Sequence, residues 1–161
     1  MVIVSNTSPL SNLVIIGEVA LLQEIYPKIL IPPAVQAELV RLPVLRATIL
    51  SLINTDWLQV HSPTPSDLLY SLNQTLDPGE AEAITLAVEL RASRLLIDER
   101  LGRKVAAQYG LKLRGLVGLL IYAKQQGVIP ALKPILDRLI EQAGFRVSQT
   151  LYKQALQEVG E

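Results

Sequence analysis

The chain has 161 residues, half of them apolar, with a mean hydropathy of +0.34 and a formal charge of zero. One domain accounts for that length and buries roughly 68–70% of the unfolded surface without covalent staples. The lack of cysteine and the single histidine, His61, exclude a disulfide framework, thiolate chemistry and a Cys/His zinc site, and zero net charge by itself argues against a nucleic-acid binder.

The first element reads as a strand over residues 2–5, where Val2, Ile3 and Val4 run into the polar cluster Ser5-Asn6-Thr7-Ser8 and then Pro9. Helical stretches over 9–16 and 19–25 follow, with Ser8 as the expected cap and Pro9 as the first helical residue. A second strand over 28–31 leads into a helical stretch over 33–53, broken at Pro43. The third strand, 58–61, ends on His61, which reads as a strand-end residue. Helices over 65–73 and 78–90 precede a fourth strand over 94–97, a helix over 99–109 and a fifth strand over 111–114. Three further helices, 116–126, 130–143 and 149–159, complete the chain.

Strands alternating with helices imply a parallel sheet covered on both faces. We therefore expect an α/β fold of about five strands in a single domain over 1–161, with a helical extension from about 130 to 161. In such sheets function sits beyond the carboxyl ends of the strands, at a topological switch point. Asn6 and Asp98, which end strands one and four, are the first candidates.

Three acids stand out. Glu38 lies beside the stripe Val35, Leu39 and Leu42; an i+3 pair with Arg41 explains it structurally, and an inward functional role is the alternative. Asp77, Pro78 and Glu80 form a capping-box variant. Glu80 nonetheless shares a face with Ala83, Ile84 and Ala87, whereas Glu82 falls on the other side with Glu89. Asp98 is placed to cap the helix that follows it, and a residue at a strand end also points into the crevice. Two carboxylates about 4 Å apart repel by roughly 4 kcal/mol at an effective dielectric of 20, so such a cluster either takes up protons or binds a cation. Oxygen ligands alone suit a hard ion, Mg²⁺ or Mn²⁺, and the matching chemistry is attack of water on a phosphodiester.

Between Arg91 and Arg114 lie seven of the fifteen basic residues, readable either as solvated charges or as a basic rim beside a site. Glycine-rich phosphate loops are absent, the seven aromatics are scattered, and Ser8 or Thr7 lacks a partner base for nucleophilic work. The longest uncharged apolar run, 115–123, falls far short of a membrane span, and no basic leader precedes the first strand, so we expect a cytoplasmic protein with no membrane partner.

The stretches Ser5-Asn6-Thr7-Ser8-Pro9-Leu10, Ile31-Pro32-Pro33-Ala34-Val35-Gln36-Ala37-Glu38-Leu39, Leu76-Asp77-Pro78-Gly79-Glu80-Ala81-Glu82-Ala83-Ile84 and Leu96-Ile97-Asp98-Glu99-Arg100-Leu101-Gly102-Arg103 resemble PIN-domain proteins, the fold of VapC-type toxins. With Gly144-Phe145-Arg146-Val147-Ser148 and Gly160-Glu161, they look most like an uncharacterised prokaryotic branch of that family. The resemblance implies a three-layer α/β/α domain whose acids hold Mg²⁺ or Mn²⁺ and cleave RNA. Glu38, Glu80 and Asp98 match the family's acids. With the basic segment beside them, we expect Asn6 with Thr7 or Ser8 to orient the ion or its water, and Arg100, Arg103 and Lys104 to contact RNA. The resemblance further implies a homodimer and a small antitoxin as partners. The departure is Asn6, where the family pattern carries aspartate; it offers a neutral carbonyl oxygen instead. This leaves a second expectation, a catalytically weak or inactive PIN-like module that acts by binding RNA or a partner protein.

Overall fold

The structure is a computed structural model that describes residues 1–161. Five short strands form one sheet: β1 (Ile3–Ser5), β2 (Ile29–Ile31), β3 (Leu58–Val60), β4 (Arg94–Leu96) and β5 (Leu113–Arg114). Their order is β3-β2-β1-β4-β5 and every pairing is parallel, with Val4 opposite Leu30 and Ser5 opposite Leu96. The chain leaves β1 toward β2 on one side and comes back to β4 on the other. The loops after β1 and β4 therefore diverge and open a crevice between them, as at a switch point.

Alternation along each strand assigns the two faces. Ile3, Ile29, Ile31, Leu58 and Leu96 enter one buried cluster; Val4, Leu30, Leu95 and Ile97 enter the other. The first face is covered by α1 (Thr7–Ile15), α2 (Ala20–Ile25), α3 (Pro33–Arg41), α4 (Pro43–Asn54), α8 (Leu116–Gln125) and α9 (Lys133–Ala143). The second is covered by α5 (Asp67–Asn73), α6 (Pro78–Glu89) and α7 (Arg100–Gln108). This is a three-layer α/β/α arrangement. Its layers are unequal, 28 buried residues against 12, because α9 and Ala155 of α10 (Gln149–Glu158) thicken the first side. Each fully buried Leu or Ile contributes roughly 1.5–3 kcal/mol, so the thicker first layer supplies the larger share of the burial energy.

Local signals explain the boundaries. Pro43 begins α4 after α3 ends at Arg41, which is the expected break. Asp77 accepts the Glu80 N–H at 2.8 Å and caps α6, with Pro78 in its first turn. At the first helix the expectation of Ser8 as cap is corrected: α1 begins at Thr7 with Asn6 in the cap position, because the Asn6 N–H is already committed to Leu96 O at 2.9 Å. The expected cap role of Asp98 is also corrected, since Glu99 occupies the position before α7. No helix is long and apolar enough to cross a membrane.

Candidate functional site

A cavity of about 370 Å³ opens beyond the carboxyl ends of β1 and β4. Asn6, Thr7 and Ser8 from the β1–α1 junction, Glu38 from α3, Glu80 from α6 and Asp98 from the end of β4 all line it. Six residues picked from the sequence are thus brought to one place by four separate segments. Sequence reasoning passed over Asp77 and Glu99 as cavity acids, and over Phe145 and Arg146, which reach it from the turn after α9. Gly144 at φ 69° makes that turn, a left-handed conformation that favours glycine. A glycine closing an amphipathic helix was the available signal that the chain doubles back there.

Hydrogen bonds fix the inner side chains. The Thr7 hydroxyl donates to Glu38 Oε2 at 2.7 Å, and no ion pair joins Glu38 to Arg41. A Cβ on Gly79 would collide with Glu38 Oε1 and would lie 3.5 Å from Asn6 Oδ1, so the backbone of α6 comes close to both oxygens. Asp98 Oδ1 accepts the Leu116 N–H at the start of α8 at 2.7 Å, and Asp98 Oδ2 accepts a longer bond from the Ser8 hydroxyl at 3.4 Å. Asp98 therefore satisfies an orphan N–H of α8, not of α7. Arg103 donates to Ile97 O at 2.8 Å, and a Cβ on Gly115 would lie 3.0 Å from Asp98 Oδ1 and 3.1 Å from an Arg103 guanidinium nitrogen.

The electrostatics are one-sided. Glu38, Asp77, Glu80, Asp98 and Glu99 line the cavity against the single guanidinium of Arg146, and none of the five takes part in an ion pair. Glu80 is only 7% exposed. Burial first, then the negative charges of Asp77 and Glu99, push its carboxyl up to about 7. Burial also pushes Asp98 above the usual carboxylate range, opposed by the Leu116 N–H, the Arg103 charge and the Ser8 hydroxyl.

Arg103 is half-buried and lines a neighbouring cavity, whereas Arg100 and Lys104 lie exposed on α7 and line neither. His61 sits just past β3 with its N–H bonded to Ile31 O, away from the site.

A family model described as a PIN domain matches residues 2–161. The chain belongs to the PIN-domain family. The match covers all five strands of this PIN domain and the loops after β1 and β4. PIN domains share a nuclease-like fold, are typically dependent on divalent metal, and point to RNA as the class of molecule bound. No curated protein matches the chain.

Every donor is a hard oxygen and none of the carboxylates is in an ion pair, which suits Mg²⁺ or Mn²⁺. No three acidic side chains are gathered tightly enough to enclose an ion. The set fits an ion held by one or two carboxylates and water, which is how Mg²⁺ is usually bound.

Proposed function

We propose that this PIN-domain protein is a Mg²⁺- or Mn²⁺-dependent ribonuclease that hydrolyses RNA phosphodiester bonds. The observation that carries the reading is the cavity at the switch point, where five carboxylates face one guanidinium and one of them, Glu80, is buried. Glu38, Glu80, Asp98 and the Asn6 amide oxygen are the candidate ligands, one or two of the carboxylates binding the ion directly and the others acting through its water. When bound, the ion supplies charge neutralisation at the phosphate and a lowered pKa for water. Thr7 holds the Glu38 carboxylate in place, and Ser8 and the Leu116 N–H do the same for Asp98. Arg103 stands at the rim as a phosphate contact, and Arg100 and Lys104 extend the positive surface along α7. The exposed Leu42 and Val44 at the α3–α4 junction support an association partner, a second copy of the chain or a small antitoxin; the toxin role rests on that partner.

The test is Mn²⁺-dependent cleavage of mixed single-stranded RNA by wild type and by Asp98→Asn and Glu38→Gln. Loss of cleavage in both variants is expected; equal cleavage by all three proteins would show that the activity arises elsewhere. A second reading, a weakly active module that acts by binding RNA or protein, is favoured by the neutral Asn6 and by the spread of the carboxylates. Titration with Mn²⁺ separates the two, because absence of binding below about millimolar, the weak end of protein sites for hard divalent ions, favours the binding module.

A further inference from the structure

We propose that a second cavity, beside the acidic one, holds the phosphodiester backbone of the same single-stranded RNA next to the bond presented to the acids. This rests on the nuclease reading above for the acidic cavity and adds where the rest of the strand runs. The second cavity has a volume of about 540 Å³, within the range of about 300–1,000 Å³ usual for ligand sites. Four arginines line it, Arg94, Arg103, Arg114 and Arg146, and Asp98 is its one acid. Asp98, Phe145 and Arg146 line both cavities, so a strand leaving the acids enters the arginines without crossing open surface.

Charge makes the choice of ligand. None of the four arginines forms an ion pair, in a chain whose formal charge is zero. Four like charges assembled around one hollow against the single carboxylate of Asp98 are stabilised by an anion, and the planar guanidinium fork suits phosphate. Two of them are held in advance. Arg103 is fixed by Ile97 O at 2.8 Å; Arg114, which lines both this hollow and a third cavity beside it, donates to the Tyr26 hydroxyl at 2.9 Å and lies 4.3 Å from the centre of the Tyr122 ring, two residues of that third cavity. Fixed side chains lose little entropy when a ligand arrives. The apolar part of the wall, Ile121, Phe145 and Leu151, gives a ribose and base a surface to lie against. A peptide added to the sheet is the weaker occupant, since the edge strand β5 is only two residues long.

The strand is therefore gripped along the β5 edge by residues from both ends of the sequence block 94–146, and the turn after α9 is part of the substrate path. This differs from a path over α7, where Arg100 and Lys104 line neither cavity.

Binding of a fluorescein-labelled, hydroxyl-ended octauridylate, followed by anisotropy in EDTA, tests this without cleavage or metal. Arg114→Gln and Arg146→Gln are each expected to weaken Kd by about fivefold or more, and to flatten the log Kd against log salt slope by about 0.7, one single-strand phosphate contact. Arg146 is exposed, so that variant keeps its fold. Lys28→Gln, just before β2, is expected to stay within about twofold of wild type, since Lys28 lines neither cavity. The proposal is overturned if both arginine variants bind like wild type, if Lys28→Gln weakens binding equally, or if wild type fails to bind. Displacement of the RNA by oligoglutamate at equal charge, or binding that requires a 5′-phosphate, overturns it as well. Absence of Mn²⁺-dependent cleavage by the wild type with its RNA binding intact would sink the nuclease reading alone, and cleavage by the wild type with both arginine variants binding like it would sink this one alone.

Discussion

Thr7 and Glu38 are 31 residues apart in sequence, and the hydroxyl of one donates to the carboxylate of the other over 2.7 Å. That bond joins the start of α1 to α3 at the mouth of the crevice, and the other Glu38 oxygen lies against Gly79 of α6. Three segments meet at one carboxylate. Its direction is set by neighbours, which is how outer partners orient a metal ligand.

Thr7→Val removes the donor and keeps the shape. Stability is expected to fall by about 1–2 kcal/mol, because the hydrogen bond has a charged acceptor in a half-buried place. Mn²⁺ affinity is expected to fall about tenfold, in line with the loss of an orienting partner, and Thr7→Ser should retain both. Urea unfolding and calorimetric titration read the two effects, and unchanged Mn²⁺ binding in Thr7→Val would remove Thr7 from the site.

Gly79→Ala separates fold from function. In the first turn of α6 alanine is favoured over glycine by up to about 1 kcal/mol. The added methyl displaces Glu38 Oε1, and that swing breaks the bond to Thr7, a loss of similar size. Stability is expected to stay within about 1 kcal/mol of wild type while Mn²⁺ affinity and RNA cleavage drop. Retained affinity would show that the close approach of the α6 backbone has no part in ion binding.

Glu80 makes the metal-free fold sensitive to pH. Its carboxyl is raised from the usual 4.5 to about 7, first by burial and then by Asp77 and Glu99. Between those two values the folded state binds more protons than the unfolded state, so stability falls as pH rises through the window and the loss is complete above 7. The shift corresponds to roughly 3 kcal/mol. Glu80→Gln is expected to raise Tm over wild type at pH 8 and to leave it nearly equal at pH 4.5, in EDTA throughout. Wild type with saturating Mn²⁺ should recover stability at pH 8 and gain little at pH 5, where Glu80 is protonated. A flat profile for wild type from pH 4.5 to 8 would contradict the burial argument.

The parallel sheet and its switch point were legible because short runs such as Ile29-Leu30-Ile31 and Leu95-Leu96-Ile97 alternate with helical periods and proline starts. Asn6 and Asp98 then followed from topology alone. Glu80 was separable from Glu82 because a helix face has a fixed period; Glu82 instead accepts the Ala34 N–H of α3. What could not be read were partners chosen across the fold. Asp98 bonds Leu116, 18 residues on, where local pattern predicts the adjacent helix. Arg146 reaches the acids through a reversal at Gly144, which sequence periodicity registers only as the end of a helix. Arg100 and Lys104 were chosen for proximity to Asp98 in sequence, and the α7 surface turns them outward.

Asn6 carries the last prediction. It is 6% exposed and stands near Glu38 across Gly79, so Asn6→Asp introduces another charge into a buried acidic corner. Without metal the variant is expected to be less stable than wild type by roughly 1–3 kcal/mol, the cost of an unpaired buried group. With Mn²⁺ the order reverses, because an added carboxylate both ligates and neutralises, and ligand charge is what tunes affinity for hard ions. Titration of the two proteins should show binding tighter by about tenfold or more in the variant, and cleavage should rise with it. Equal Mn²⁺ affinity would mean that position 6 does not touch the ion, and the neutral amide would then be no reason for weak catalysis.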